Sequence, residues 1–131
     1  MSRPASSVPS RPAQLSPLLP SDTRAELDLS GAWSFALDPD DKGFVERWFE
    51  QDLPDSISVP GSWEEQGFGE PAPEFIGGWT KRRSYEGAAW YVRDVEVPAE
   101  WPADGKVWLQ LDRVNWQSRV FVDGREVATQ D

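Results

Sequence analysis

The side chains of this sequence that are suited to chemistry are mainly carboxylates, because the chain has neither histidine nor cysteine. That composition excludes a Ser-His-Asp triad, a thiolate nucleophile and a zinc–cysteine site. Neighbouring acids occur at Asp40–Asp41, at Asp52 with Asp55, and at Glu64–Glu65. Two carboxylates act as a general acid and base only where their surroundings drive their pKa values apart. These acids fall in segments predicted to be loops, where carboxylates are solvated, so we predict no catalytic residue in this chain.

Patterns for metal or phosphate binding are incomplete. Asp38, Asp40 and Asp41 suggest calcium, but the EF-hand spacing and its closing glutamate are missing, which favours a plain turn. Gly67 and Gly69 precede prolines rather than a helix, which is typical of a loop and not of a phosphate-binding glycine motif. The sequence therefore predicts no metal site and no cofactor.

The charge of the chain limits its partners. The formal net charge is −10, so nucleic acid and anionic membrane surfaces, which bind clustered Lys and Arg, are not expected. No run of apolar residues is long enough to predict a membrane span. Residues 1–24 are rich in proline and serine and do not match a signal peptide, which predicts a disordered leader. The compartment stays open, with the cytoplasm favoured over export.

Short strands, rather than helices, must position any site. A single helical turn is predicted at 44–50, and a long irregular connection at 64–88. Five or six strands punctuated by glycine and proline predict an all-β sandwich or barrel. The first strand is expected in 27–37 after a turn at Ser30-Gly31, and the second in 57–63, where Pro60-Gly61 stops it. Further strands are expected at 89–97 and 106–111, followed by a hairpin at 118–128 whose Asp123-Gly124 pair predicts a type I′ turn.

Large aromatic side chains are frequent, with eight tryptophans in 131 residues. Trp90 and Tyr91 are neighbours in one predicted strand and must therefore point to opposite faces of a sheet. An aromatic on the outer face needs a cover. We predict that Trp90 or Tyr91, together with Trp108 or Trp116, forms a contact surface, although packing in the core is the simplest role for Trp116. Alternation also predicts two apolar faces: Trp33, Phe35 and Leu37 in the first strand, and Val107, Leu109 and Leu111 in the fourth.

Four segments resemble a known family when they are taken together. In chain order they are LDLSGAWSFALDPDDKG, ISVPGSWEEQGFG, YEGAAWYVRDVEVP and VWLQLDRVNWQSRVFVDGREV. Over about residues 25–131 the chain resembles the N-terminal sugar-binding domain of family 2 glycoside hydrolases, the group of β-galactosidases, β-glucuronidases and β-mannosidases. The segment at 1–24 lies outside this resemblance.

The resemblance implies a fold and an enzyme context. The fold is a jelly-roll β-sandwich of the galactose-binding type, which ordinarily has eight strands, so this sandwich is expected to be incomplete at its C-terminus. In the family an immunoglobulin-like domain follows, and then a barrel that carries both catalytic glutamates of a retaining hydrolase. The implied role is a non-catalytic domain whose partners are carbohydrate and the downstream domains of a parent enzyme, which is itself open to homo-oligomerisation.

The loop at 76–88 is the best candidate for ligand contact. In relatives the loop before the G-x-x-W-Y strand reaches the sugar in the barrel, although the asparagine that some relatives place there is missing here. An aromatic ring can stack on a pyranose, and an arginine can bind hydroxyls or a uronate carboxylate. The competing interpretation is structural, with cations paired to acids and aromatics sealing the sandwich. The substrate-binding residues implied by position are Trp79, Arg82, Arg83 and Tyr85.

Two other functions stay open at the level of sequence. Exposed tryptophans could form the platform of a free-standing carbohydrate-binding module. A β-sandwich with outer aromatics could instead be a protein-interaction domain. Sugar binding by the isolated chain would favour the first of these over an enzyme domain.

Overall fold

A computed structural model describes residues 25–71, 83–114 and 116–131. The chain divides into two compact units, and each is described by itself. One unit comprises residues 29–93, and the other contains the described residues 25–28, 94–114 and 116–131. The expected leader at 1–24 lies outside the described residues.

An antiparallel three-stranded sheet forms the centre of the first unit. Its strands are β1 (Gly31–Asp38), β2 (Asp55–Val59) and β5 (Ala88–Val92), in the order β2-β1-β5. A two-stranded ribbon of β3 (Glu70–Pro71) and β4 (Arg83–Ser84) lies in the same unit. The predicted helical turn is confirmed, because turns at 43–47 lead into a short 3-10 helix at Trp48–Glu50.

Both faces of β1 are packed. Phe35 is fully buried on one face, and Asp38, with 1% of its surface exposed, is buried on the other. The register places Phe35 opposite Tyr91 and Ala36 opposite Trp90, so the two aromatic neighbours of β5 point to opposite faces. The prediction that the two rings lie on opposite faces is confirmed. Trp90 is half-buried, whereas Tyr91 keeps 38% of its surface exposed.

Aromatic rings pack on both faces of the sheet. On one face the Phe35 ring lies 5.0 Å from Tyr91 and 4.6 Å from Phe68, measured between ring centroids. On the other face the centroid of Phe49 lies 6.0 Å from that of Trp90. Aromatic pairs at such distances contribute about 0.5–1.5 kcal/mol beyond the burial of their area. Rings from outside the sheet, Phe68 on one face and Phe49 on the other, therefore pack on aromatic side chains of its strands.

A β-hairpin is the regular part of the second unit. It pairs β6 (Ser118–Val122) with β7 (Arg125–Gln130), with a bulge between Val120 and Phe121. Both central residues of the turn, Asp123 and Gly124, have positive φ values of 50° and 76°. Positive φ at both positions is the requirement of a type I′ turn, so the predicted hairpin is confirmed.

The predicted strand at 106–111 is wrong. The structure has no strand there, and all six residues are exposed, including Val107, Leu109 and Leu111, which were expected to face inward. Trp108 is 85% exposed, and Trp116, for which core packing was the simplest expectation, is 94% exposed. Alternation specifies which face of a strand is apolar, but a strand also needs a partner to receive its backbone hydrogen bonds.

The prediction of an all-β fold is confirmed for the described part of the chain. Its regular elements are antiparallel strands and one 3-10 turn, which agrees with the all-β sandwich class and includes no closed barrel. Within those same residues, none of the helical segments has the length and apolar character needed to cross a bilayer.

Candidate functional site

The ribbon of β3 and β4 holds the backbone of Arg83. Pro71 pairs with Arg83, and Glu70 pairs with Ser84. The guanidinium of Arg83 donates a hydrogen bond of 2.7 Å to the backbone carbonyl of Gly69. A Cβ atom at Gly69, whose φ is +94°, would lie 2.7 Å from the Ser84 carbonyl oxygen. The close approach of these two backbones therefore requires glycine at this position.

Tyr85 is fixed at the end of the same segment. Its hydroxyl donates to the backbone carbonyl of Ala88 at 2.7 Å, and its ring meets Trp63 edge to face at 5.6 Å. A Cβ atom at Gly87 would come within 2.6 Å of the Tyr85 hydroxyl, so the ring lies over the glycine. Burial raises the pKa of Tyr85 above its ordinary value, so the phenol stays protonated at neutral pH.

Five rings form what we call the aromatic cluster, and one of them, Tyr85, belongs to the candidate loop. Trp63 bridges it, because its ring meets Tyr85 while its indole N–H donates to the hydroxyl of Tyr91. Burial also raises the pKa of Tyr91. The cluster fastens the start of β5 to the face of β1. Its members are Phe35, Trp63, Phe68, Tyr85 and Tyr91.

Two of the four predicted ligand contacts can be placed. Arg83 and Tyr85 lie within two residues of each other, and each is held by a backbone carbonyl. Trp79 and Arg82 lie outside the described residues. The ring packing of Tyr85 fits the competing structural interpretation, and Arg83 contacts a backbone carbonyl. Contact of these residues with a ligand stays a prediction.

Asp38 is an anchoring residue that the sequence identified only as part of a turn. Its carboxylate accepts hydrogen bonds from the backbone N–H groups of Lys42 at 2.9 Å and Gly43 at 2.8 Å, and from the indole of Trp90 at 2.9 Å. Burial acts to raise the pKa of Asp38, but these hydrogen bonds outweigh it and the pKa lies below its ordinary value. The acid fixes the 38–43 turn to β5.

An open-sided cavity of about 410 Å³ lies at the end of β1, beside the connection from the 3-10 helix to β2, and its polar lining residues are exposed. Its polar lining includes Gln51, Asp52 and Asp55, and its aromatic lining includes Trp48 and Phe68. The sequence had singled out Asp52 and Asp55 as neighbouring acids. Their shared cavity was not foreseen, because it depends on where the chain from Trp48 to Asp55 crosses the end of the sheet.

Comparison with known families identifies the domain. The model of the sugar binding domain of glycosyl hydrolases family 2 matches residues 27–131. The chain belongs to this family. The match includes the sheet, the ribbon and the hairpin of this family 2 domain.

Several proteins similar to this chain are described as β-glucuronidases. The β-glucuronidase of Paenibacillus borealis is 33% identical over 114 residues, which is 86% of this chain and 18% of that protein. The β-glucuronidase of Canis lupus familiaris is 30% identical over 118 residues, or 82% of this chain and 17% of its own length. The human β-glucuronidase is 29% identical over 114 residues, or 79% and 16% of the two chains. No solved structure gives a significant match.

The family 2 domain spans less than a fifth of the length of these relatives. The aligned part of each relative is therefore equivalent to one domain of a larger protein.

Proposed function

We propose that the chain acts as a non-catalytic sugar-binding and scaffold domain of a retaining family 2 glycosidase of the β-glucuronidase type. The observation that carries the proposal is the family match over residues 27–131, together with relatives that are described as β-glucuronidases.

The segment that includes Arg83 and Tyr85 provides the contact with the sugar in this proposal. A guanidinium has five N–H donors, and the Gly69 carbonyl accepts one from Arg83. The remaining donors suit the planar carboxylate of a glucuronide, which an arginine can bind through two parallel hydrogen bonds. Arg82 and Trp79 would add a second cation and a stacking ring.

Tyr85 orients the loop in this proposal and offers the edge of its ring to the substrate. Its hydroxyl is engaged by Ala88 and its ring rests on Trp63, so the side chain loses little further freedom when a ligand binds. A side chain that is already ordered avoids an entropic cost of about 0.5–1.5 kcal/mol on binding.

The product of the whole reading frame, with any residues encoded after codon 131, provides the test. The full-length product should hydrolyse p-nitrophenyl β-D-glucuronide with retention of configuration, while the 131-residue chain alone hydrolyses nothing. A full-length product that lacks glycosidase activity would contradict the proposal.

An arginine variant of the full-length protein tests the contact. Arg83→Met should raise KM for the glucuronide about 10–100-fold with little change in kcat, because a charged hydrogen bond of about 1.5–3 kcal/mol is lost. KM for a neutral galactoside should change much less, and Arg125→Met on the hairpin is the control. Equal losses with both substrates would assign Arg83 a purely structural role.

A second candidate function, docking of another protein, is favoured by one observation. Trp108 and Trp116 are 85% and 94% exposed, and exposed aromatics of this size are enriched in protein interfaces. Size-exclusion chromatography of the chain with and without Trp108→Ser and Trp116→Ser would test the case in which the docked protein is a second copy of this chain.

A further inference from the structure

The cavity at the end of β1 has walls of fixed geometry. The backbone N–H of Leu53 donates to the Ser34 hydroxyl at 3.4 Å, and Asp55 begins the register of β2 opposite Phe35. The side chain of Gln51 donates to the Glu46 carbonyl at 2.8 Å. The connection from the 3-10 helix to β2 is therefore tied to the sheet on one side and to the 43–50 turns on the other.

Two aromatic rings of the lining are held in place by other residues. The Trp48 indole N–H donates to the Glu46 carboxylate at 2.8 Å, and the Lys42 ammonium lies 5.9 Å from the Trp48 ring centroid. Phe68 packs on the buried Phe35 ring at 4.6 Å. Because both rings are half-buried and fixed, they can offer apolar surface to a ligand without first becoming ordered.

The charge of the cavity is negative. Asp52 and Asp55 contribute carboxylates, and no lysine or arginine occurs among the described residues of the lining. Carboxylates accept hydrogen bonds from hydroxyl groups, and they repel anions at short range. The cavity therefore favours a neutral, hydroxyl-rich ligand and disfavours a uronate.

We propose that this cavity is a binding site for a neutral pyranose. A volume of about 410 Å³ falls at the lower end of the range of small-molecule sites and suits a single sugar ring. The aromatic rings of Trp48 and Phe68 pack against the C–H face of the sugar, and Gln51, Asp52 and Asp55 accept from its hydroxyls. Neither Arg83 nor Tyr85 lines this cavity.

The choice of a sugar as the ligand rests on the proposed function of the domain. The expected ligand preference is opposite to that of the loop that contains Arg83. That loop offers a cation to the carboxylate of a uronate, whereas Asp52 and Asp55 in the cavity offer carboxylates to the hydroxyls of a neutral sugar. Failure of the cavity proposal would therefore leave the scaffold role untouched, and the enzyme assays above do not report on the cavity.

A pair of matched ligands tests the proposal on the full 131-residue chain. Methyl β-D-glucopyranoside and methyl β-D-glucuronide differ only at C6, where the second carries a carboxylate. In NMR titrations the glucoside should shift the indole N–H signal of Trp48, assigned with Trp48→Phe, and the glucuronide should bind at least tenfold more weakly. Equal affinity, tighter binding of the glucuronide, or no saturable shift with the glucoside would overturn the proposal.

Variants locate the binding. Trp48→Ala should abolish glucoside binding, whereas Trp116→Ala, which removes an exposed ring outside the cavity, should leave it unchanged. The double variant Asp52→Asn with Asp55→Asn should bring the two ligands to within about twofold of each other, because the amides no longer repel the carboxylate. Asp104→Asn is the matched control for charge. If the double variant still binds the glucoside at least tenfold more tightly than the glucuronide, Asp52 and Asp55 are excluded as the cause of this preference.

Discussion

The side-chain amide of Gln66 pairs with the backbone of Ser58 in the manner of a neighbouring strand. The Ser58 N–H donates to the Gln66 carbonyl oxygen at 2.7 Å, and the Gln66 amide donates to the Ser58 carbonyl at 2.9 Å. Ser58 lies in β2, which is an edge strand of the three-stranded sheet. The Gln66 side chain thus provides hydrogen-bond partners for the backbone N–H and C=O of Ser58, as a further strand would do at this edge of the sheet.

Replacing Gln66 with glutamate keeps the shape of the side chain and removes its donor. At neutral pH the carboxylate would face the Ser58 carbonyl, so Gln66→Glu should lower the free energy of unfolding by about 1–3 kcal/mol in urea denaturation. Gln130→Glu, on an exposed strand of the hairpin, is the control and should have little effect. Equal stability of the two variants would show that the pairing with Ser58 contributes nothing.

The low pKa of Asp38 predicts a pH-dependent contribution to stability. Since the pKa is lower in the folded chain, the carboxylate stabilises the fold above its unfolded pKa of about 3.9, and this stabilisation is lost as pH falls toward the folded value. Asp38→Asn should therefore cost about 1–3 kcal/mol at pH 7 and much less at pH 3, as measured by denaturation at both pH values. Asp40→Asn, in the exposed part of the same turn, is the control. A loss that does not vary with pH would contradict the assignment.

The carboxylate of Glu126 is held by Arg119 across the hairpin. The Arg119 guanidinium donates to both of its oxygens, at 3.1 and 2.7 Å, and Thr129 adds a third hydrogen bond. These hydrogen bonds, that from Arg119 first, lower the pKa of Glu126 from 4.5 to about 2. Any stability gained is present above pH 4.5 and is lost as pH falls toward 2.

Arg119→Gln should raise the pKa of Glu126 toward 4.5, because the charged donor is removed. NMR titration of the side-chain carboxyl carbon measures the change, and Arg125→Gln is the control. A pKa of Glu126 that stays near 2 in Arg119→Gln would mean that Arg119 is not the main cause of the shift.

Gly69 and Gly67 offer a matched test of the ribbon that positions Arg83. Their φ values are +94° and +91°, so alanine meets similar backbone strain at each. Only at Gly69 would a Cβ atom collide, at 2.7 Å from the Ser84 carbonyl, because nothing lies within 4 Å at Gly67. Gly69→Ala should lose about 1–3 kcal/mol more than Gly67→Ala and should shift the Arg83 and Ser84 amide signals. Identical melting temperatures for the two variants would rule out the close approach.

Local patterns predicted several elements correctly. Alternation in the first strand fixed the face of Phe35, and the adjacency of Trp90 and Tyr91 required that their rings lie on opposite faces. The Asp123-Gly124 pair determined the hairpin, because a type I′ turn needs positive φ at two successive residues. These features depend on residues close in sequence, and the ordered set of segments that carries the family resemblance is likewise local.

Tertiary structure decided the features that join distant residues. The segment at 106–111 alternates like a strand yet pairs with nothing in the described part of the chain, because alternation does not supply a partner. Asp38 became a buried anchor through contact with Trp90, 52 residues away, and Gln66 became an edge cap through Ser58. The cavity between Trp48, Asp55 and Phe68 likewise exists only once the connection crosses the end of the sheet. Hydrogen bonds and cavities require particular atoms to meet in space, and the order of residues alone does not determine which ones meet.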